Sequence, residues 1–198
     1  KYYERKTQLE NFDRVIAEEV VVANETLYVN REEGFAGYAM KKDEVVCKCS
    51  TLSDVLSINE AGTLVVKKIS EKAYFGKKNL HIDLFNRKNP NQKNYCIIYR
   101  SGKSGPIFAK HFTIGGVTRD KEYDLTKGEA NSKLFYLAEY DSQSGSPPVV
   151  KVNLRSSPRL RKLEVIVDFS QCTLRGRSSG GNIVSKNSVR NVVTLKNP

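Results

Sequence analysis

Tryptophan is absent, methionine occurs once, and the only histidines are His81 and His111. Neither has a second histidine or a cysteine pair at ligand spacing, and no carboxylate pairing stands out. A zinc knuckle, a catalytic triad and an acid/base pair are therefore not expected, and neither is a bound cofactor. The four cysteines (Cys47, Cys49, Cys96 and Cys172) are too few to staple 198 residues. Cys47 and Cys49, two apart, would share one face of a strand, and buried thiols in a reducing compartment are expected. No apolar run approaches the roughly 18 residues of a membrane span, and no basic amphipathic helix is evident, so a membrane partner is not expected. The opening Lys1-Tyr2-Tyr3-Glu4 lacks an initiator Met and a signal-peptide pattern, so the chain reads as a piece of something longer.

What is present in excess is positive charge, and it is unevenly spread. Residues 1–60 hold 8 basic and 12 acidic side chains, residues 61–150 hold 15 and 8, and residues 151–198 hold 10 and 2. The regional balances of −4, +7 and +8 sum to the net +11. A field that strengthens along the chain attracts polyanions, because phosphate contacts release condensed counterions. With 39% hydrophobic residues the chain also has enough apolar material for a packed core.

Apolar spacing predicts one short helix over Gln8–Glu19, striped by Leu9, Phe12, Val15 and Ile16. Beyond it, β-branched and alternating runs are punctuated by Gly, Asn and Asp. They read as hairpins over 20–40, 55–66, 96–109, 134–154 and 163–174. The turn glycines Gly34, Gly62, Gly102 and Gly145 are spaced 28, 40 and 43 apart. Spacing near 40 leans towards propeller-type blades of four strands, about four to five in number, with a β-sandwich as the other arrangement. The expected division is a lead-in over 1–19 and an all-β domain over 20–198.

Basic pairs recur after successive hairpins: Lys41-Lys42, Lys67-Lys68, Lys77-Lys78 and Arg87-Lys88. A ring of blades would place such pairs along one perimeter. The most specific local feature is Arg175-Gly176-Arg177-Ser178-Ser179-Gly180-Gly181-Asn182, followed by Lys186 and Arg190. Arginines beside small residues can bring side-chain and backbone donors to a phosphate. Gly102-Lys103-Ser104 resembles the end of a phosphate-binding loop, but Ile97 stands where its first glycine belongs, so a hairpin turn is expected. None of the ten tyrosines can be argued to be a DNA-cleaving nucleophile.

The stretch from Thr51-Leu52-Ser53-Asp54 through Gly62 to Lys67-Lys68-Ile69 resembles the blade repeat of gyrase and topoisomerase IV A subunits. Asn30-Arg31-Glu32-Glu33-Gly34-Phe35 and Thr118-Arg119-Asp120-Lys121-Glu122-Tyr123-Asp124-Leu125-Thr126 resemble the topoisomerase IV A subunits of the Bacteroides group. So does Arg175-Gly176-Arg177 with Gly181-Asn182 and Lys186. The resemblance covers nearly the whole chain and implies a strand-exchanged β-pinwheel, the C-terminal domain of a bacterial type IIA topoisomerase A subunit. It implies a domain that binds and bends duplex DNA on its basic rim, in a cytoplasmic, nucleoid-associated enzyme. The DNA-cleaving tyrosine, the ATP and Mg2+ sites, the second A subunit with the B subunit: all of these then belong to other parts of the assembly. Gyrase A subunits carry a Gln-Arg-Arg-Gly-Gly box, and here the initial Gln and the paired arginines are missing. That departure fits selection of DNA geometry better than chiral wrapping.

The residues expected to meet DNA are Arg175, Arg177, Lys186 and Arg190, followed by Arg119, Lys121, Lys67, Lys68, Lys77 and Lys78. Arg159, Arg161 and Lys162 are expected in a connecting segment. The alternative function is a propeller-like module whose basic surface serves an acidic protein partner.

Overall fold

The computed structural model describes residues 24–157 and 160–195. The expected helix over Gln8–Glu19, the run Val20–Ala23 and Arg159 lie outside the described residues. Within them the fold is all-β: sixteen strands and one 3-10 turn. No helix among them is long and apolar enough to cross a membrane.

The strands fall into four successive units. The first holds β1 (Glu25–Asn30), β2 (Phe35–Gly37) and β3 (Glu44–Cys49). The second holds β4 (Asp54–Asn59), β5 (Thr63–Lys68), β6 (Ala73–Tyr74) and β7 (Asn79–Phe85). The third holds β8 (Lys93–Arg100), β9 (Ile107–Thr113), β10 (Glu122–Asp124) and β11 (Lys133–Asp141). The fourth holds β12 (Val149–Leu154), β13 (Glu164–Asp168), the 3-10 turn Phe169–Gln171, β14 (Arg175–Gly176), β15 (Asn182–Ser185) and β16 (Val189–Leu195).

In each unit the first strand is central, flanked by the second strand and by the last. The outer edge of the second strand is then covered by a strand that the following unit donates. β6 pairs with β2, β10 with β5, and β14 and β15 with β9. A sheet edge with unmet N–H and C=O groups is thereby closed by a neighbour. Among the described residues the fourth sheet stops at three strands, with β13 as its outer edge.

Alternate side chains of one strand feed different cores, because central strands are covered on both faces. Leu56 and Ile58 pack with Ile97, Tyr99 and Phe112 between the second and third sheets. Val55 instead packs with Leu27, Val29 and Ile82 between the first and second. Cys96 and Ile98 join Val150, Val152 and Phe169 between the third and fourth. The cores thus link the sheets in chain order.

Two of the expected hairpins are corrected. β11 and β12, read as partners over 134–154, belong to different sheets, because β11 returns to β8 and β12 pairs with β13 and β16. Pro147 and Pro148 occupy the connection and have no N–H to give a ladder. Residues 172–174 do not return against β13. The chain turns through Phe169–Gln171 and crosses to β9 as β14. The other three hairpins form, and Gly102-Lys103-Ser104 lies in the β8–β9 turn.

Gly34 shows why one turn needs glycine. Its φ is +84°, and a Cβ there would lie 1.8 Å from the Gly76 carbonyl oxygen. The donated segment therefore comes closer to the β1–β2 turn than any side chain would permit.

Candidate nucleic-acid interface

Each donated strand brings cations to the edge that it covers. Lys72 precedes β6, Arg119 and Lys121 precede β10, Arg175 lies in β14 and Arg177 directly follows it. Lys72, Arg119, Lys121 and Arg175 are exposed.

One end of the second sheet concentrates this charge around a buried carboxylate. The Asp54 side chain is only 4% exposed. Arg119 donates to it twice, Nε to Oδ1 at 2.7 Å and Nη2 to Oδ2 at 3.2 Å. Arg87 Nε lies 3.8 Å from Oδ2. Lys68 is the cross-strand partner of Asp54 on β5, with Phe85 on its other side. A cleft of ≈ 490 Å³ opens here, lined by Ser50, Ser53, Asp54, Arg87, Lys88 and Arg119.

A second cation group surrounds Tyr123 on β10. The Arg177 guanidinium carbon lies 4.2 Å from the ring centroid and Lys121 Nζ lies 5.5 Å from it. The Tyr123 hydroxyl accepts from the Thr118 N–H at 2.9 Å. That hydrogen bond, then the Arg177 and Lys121 charges, hold the phenol below its usual range. Arg177 Nη1 also donates to the carbonyls of Ile114 and Gly116, at 2.5 and 2.6 Å. Its backbone carbonyl accepts from Lys110 Nζ, which donates to Leu125 O as well, at 2.8 Å. Lys110 is 2% exposed, and burial pulls its ammonium down to about 8. Gly181 lies flat on β9, where a Cβ would come 2.6 Å from Ala109 O. Close packing thus accounts for this glycine without any ligand.

A third polar group couples the second and third sheets. His81 Nε2 of β7 is 3.2 Å from Glu139 Oε2 of β11. Lys93 of β8 donates to Glu139 at 2.9 Å and also to Asp83 of β7. Burial would raise the Glu139 carboxyl, but the His81 and Lys93 contacts outweigh it and bring it down to about 2. His81, Asp83 and Glu139 have metal-ligand chemistry, yet the Lys93 ammonium already supplies a cation to both carboxylates. His111 is a buried core histidine, with Nε2 2.7 Å from the Tyr140 hydroxyl and Nδ1 3.0 Å from Cys172 O. The four cysteines are free, and burial pushes Cys47 to about 11 and Cys96 to about 12.

The topoisomerase C-terminal domain family of Bacteroidota matches residues 26–197, nearly the whole chain. The chain belongs to that family. The A subunit of DNA topoisomerase 4 from Borreliella burgdorferi is 27% identical over 125 residues, which cover 63% of the chain. Those residues are 20% of that relative, so the chain spans about a fifth of its length.

Within this topoisomerase domain the sequence-derived cations sort into groups. Arg119 holds Asp54, whose register partner on β5 is Lys68, while Lys67 donates to Tyr74 O at 2.8 Å. Lys121 and Arg177 meet at Tyr123. Lys77 is exposed in the β6–β7 turn, and neighbouring Lys78 lies 3.7 Å from Glu60. Lys186 follows β15 and Arg190 lies on β16, both exposed. Arg161 and Lys162 lie in the β12–β13 connection, as expected. Sequence reasoning missed Asp54, Lys72, Tyr123 and Lys110 as members of the site, and had Arg87 only as one of the recurring basic pairs. Asp54 had a signal: an acid opening the apolar run Val55-Leu56-Ser57-Ile58 is buried with it and needs a partner.

Proposed function

We propose that this domain captures and bends duplex DNA along the edges where strands are exchanged, as the C-terminal domain of a topoisomerase A subunit. The observation that carries the reading is the recurrence of exposed cations at each of the three exchanged edges: Lys72, then Arg119 and Lys121, then Arg175. Phosphates are evenly spaced along a duplex, so a repeated row of cations suits the backbone and needs no base contacts. Arg177, Lys67, Lys68, Lys77, Lys78, Lys186 and Arg190 extend the row.

On this reading the units are blades of a β-pinwheel over residues 20–198, behind a lead-in over 1–19. Bending 20–30 bp by 40–90° costs about 1–6 kcal/mol, which several phosphate contacts offset. The parent enzyme would pass one duplex through another in the cytoplasm, at the nucleoid. The B subunit, a second A subunit, and ATP with Mg2+ would act through other domains.

Energy transfer across an end-labelled duplex of about 30 bp tests the reading, since a bend of this size shortens the end-to-end distance. Transfer should rise and saturate with added protein. Saturable binding with unchanged transfer would remove bending and leave capture. No binding at low salt would favour an acidic protein partner.

A further inference from the structure

The outer edge of β13 breaks a rule that the other three units keep. In those units the second strand is covered by a strand that the following unit donates. Among the described residues no strand covers β13, the second strand of the fourth unit. The ladder to β12 fixes which of its groups face outward. Leu154 N donates to Leu163 O, and Phe169 N donates to Pro148 O. In an antiparallel pair such bonds recur at every second residue, so Val165 and Val167 also turn theirs towards β12. The N–H groups of Glu164, Ile166 and Asp168, with the C=O groups of Glu164 and Ile166, therefore face away from the sheet. Their side chains share one face, opposite the buried Val167.

Exposed edges are usually blunted by lysine, by proline or by extreme shortness. The donated β6, β10 and β14 have two or three residues each, with Lys72, Lys121 or Arg175 in or beside them. β13 has five residues and neither lysine nor proline. Ile166, at its centre, is 65% exposed. Glu164 and Asp168 flank it on the same face, and they are the only acids among residues 151–198, which hold ten basic residues. Glu164 meets Lys151 at 3.3 Å, yet its side chain stays 59% exposed. The acids disfavour a second copy as occupant. Pairing β13 with its own image about Ile166 would set Glu164 opposite Asp168, and like charges directly opposite destabilise a sheet. A strand with cations at those two positions and an apolar residue between them has the complementary pattern.

We propose that the outer edge of β13 receives an extended segment of a partner protein, basic–apolar–basic at every second residue, as a fourth strand of this sheet. Ladder bonds at Glu164, Ile166 and Asp168 hold the segment, and the two acids select its charge. The edge takes this strand whether or not the domain holds DNA.

The probe is the peptide acetyl-Thr-Lys-Thr-Val-Thr-Lys-Thr-amide, titrated at low ionic strength while the backbone amide resonances of the chain are followed. Binding should saturate, shift the N–H signals of Glu164, Ile166 and Asp168 most, and slow their exchange with solvent. Two altered peptides separate the contributions. Methylating the amide nitrogens of the valine and both lysines keeps the charge, removes the donors that face β13, and should weaken binding about ten-fold or more. Replacing both lysines by glutamate should weaken it to a similar extent. Ile166→Lys, a change at an exposed position, should also lose the unmodified peptide while melting at the wild-type temperature. Equal binding of the methylated peptide would overturn the proposal by removing the ladder, and equal binding of the glutamate peptide by removing the charge selection. No binding at about 1 mM peptide, or shifts centred away from β13, would overturn it as well. So would a wild-type chain that self-associates and is made monomeric by Ile166→Lys, since the edge would then belong to a second copy. Should Ile166→Lys not fold, the methylated and unmodified peptides on the wild-type chain still decide the question.

Discussion

Lys110 holds an ammonium almost wholly out of water, and it ties two donated segments to β9 through the carbonyls of Leu125 and Arg177. Burial is the main reason that its pKa falls to about 8, with Asp124 opposing the fall and Lys127 adding to it. The unfolded lysine, near 10.5, keeps its proton at pH values where the folded one has lost it. The unfolded state therefore binds more protons between about pH 8 and 10.5, and the lysine's contribution to stability rises with pH across that window. Relative to Lys110→Met, the wild-type chain should gain on the order of 2–3 kcal/mol over that interval, measured by urea unfolding at its two ends. A pH-independent difference would contradict this assignment. The lysine was illegible as a site residue, since Ala109-Lys110-His111 reads as an ordinary strand alternation. Its partners come from residues 15 and 67 positions away. Arg177 was legible as a cation, but its bonds to Ile114 and Gly116 make it part of the seam as well as of the candidate interface.

Strands and turns were largely readable from period-two alternation and from Gly, Asn and Asp punctuation; partners were not. A two-residue donated strand such as β6 or β14 has too few positions to show a period, and its identity comes from the edge it covers. That explains why residues 134–154 and 163–174 looked like local hairpins, when the first run serves two sheets and the second leaves its sheet at the 3-10 turn to reach β14. Charge also reinforces the joints between elements. Glu139 of β11 meets His81 of β7 and Lys93 of β8, which fixes the third sheet against the second. Because its folded pKa lies near 2 and its ordinary value is 4.5, this stabilisation is complete above about pH 4.5 and lost as pH falls towards 2. Glu139→Gln should cost on the order of 2 kcal/mol at neutral pH, and its deficit should shrink through that acid window. Unfolding curves at pH 7 and pH 3 check this, and a deficit that is the same at both would place the contact outside the stabilising network.

At the scale of the whole molecule, four sheets are joined in chain order by three cores and by strands handed back from each unit to the one before. The same handing back carries cations outward, so the architecture and the charge pattern have one cause. A net charge of +11 alone forecasts attraction to polyanions, whereas the placement of Lys72, Lys121 and Arg175 at the donated strands forecasts where the contacts fall. The all-β class, the family resemblance and the basic C-terminal quarter were all present in the sequence. The Asp54 cleft was not, because Arg87 and Arg119 lie 33 and 65 positions from Asp54, and the first reaches it through the β4–β7 pairing, the second only once the third unit has paired with the second. The most direct test of the central claim is the salt dependence of duplex affinity for the wild-type chain and for Lys72→Ala/Lys121→Ala/Arg175→Ala. The wild-type log–log slope should be several units steep, and the triple variant should lose about three of them while melting at the wild-type temperature. A triple variant with the wild-type slope would show that the donated strands are not where DNA is held.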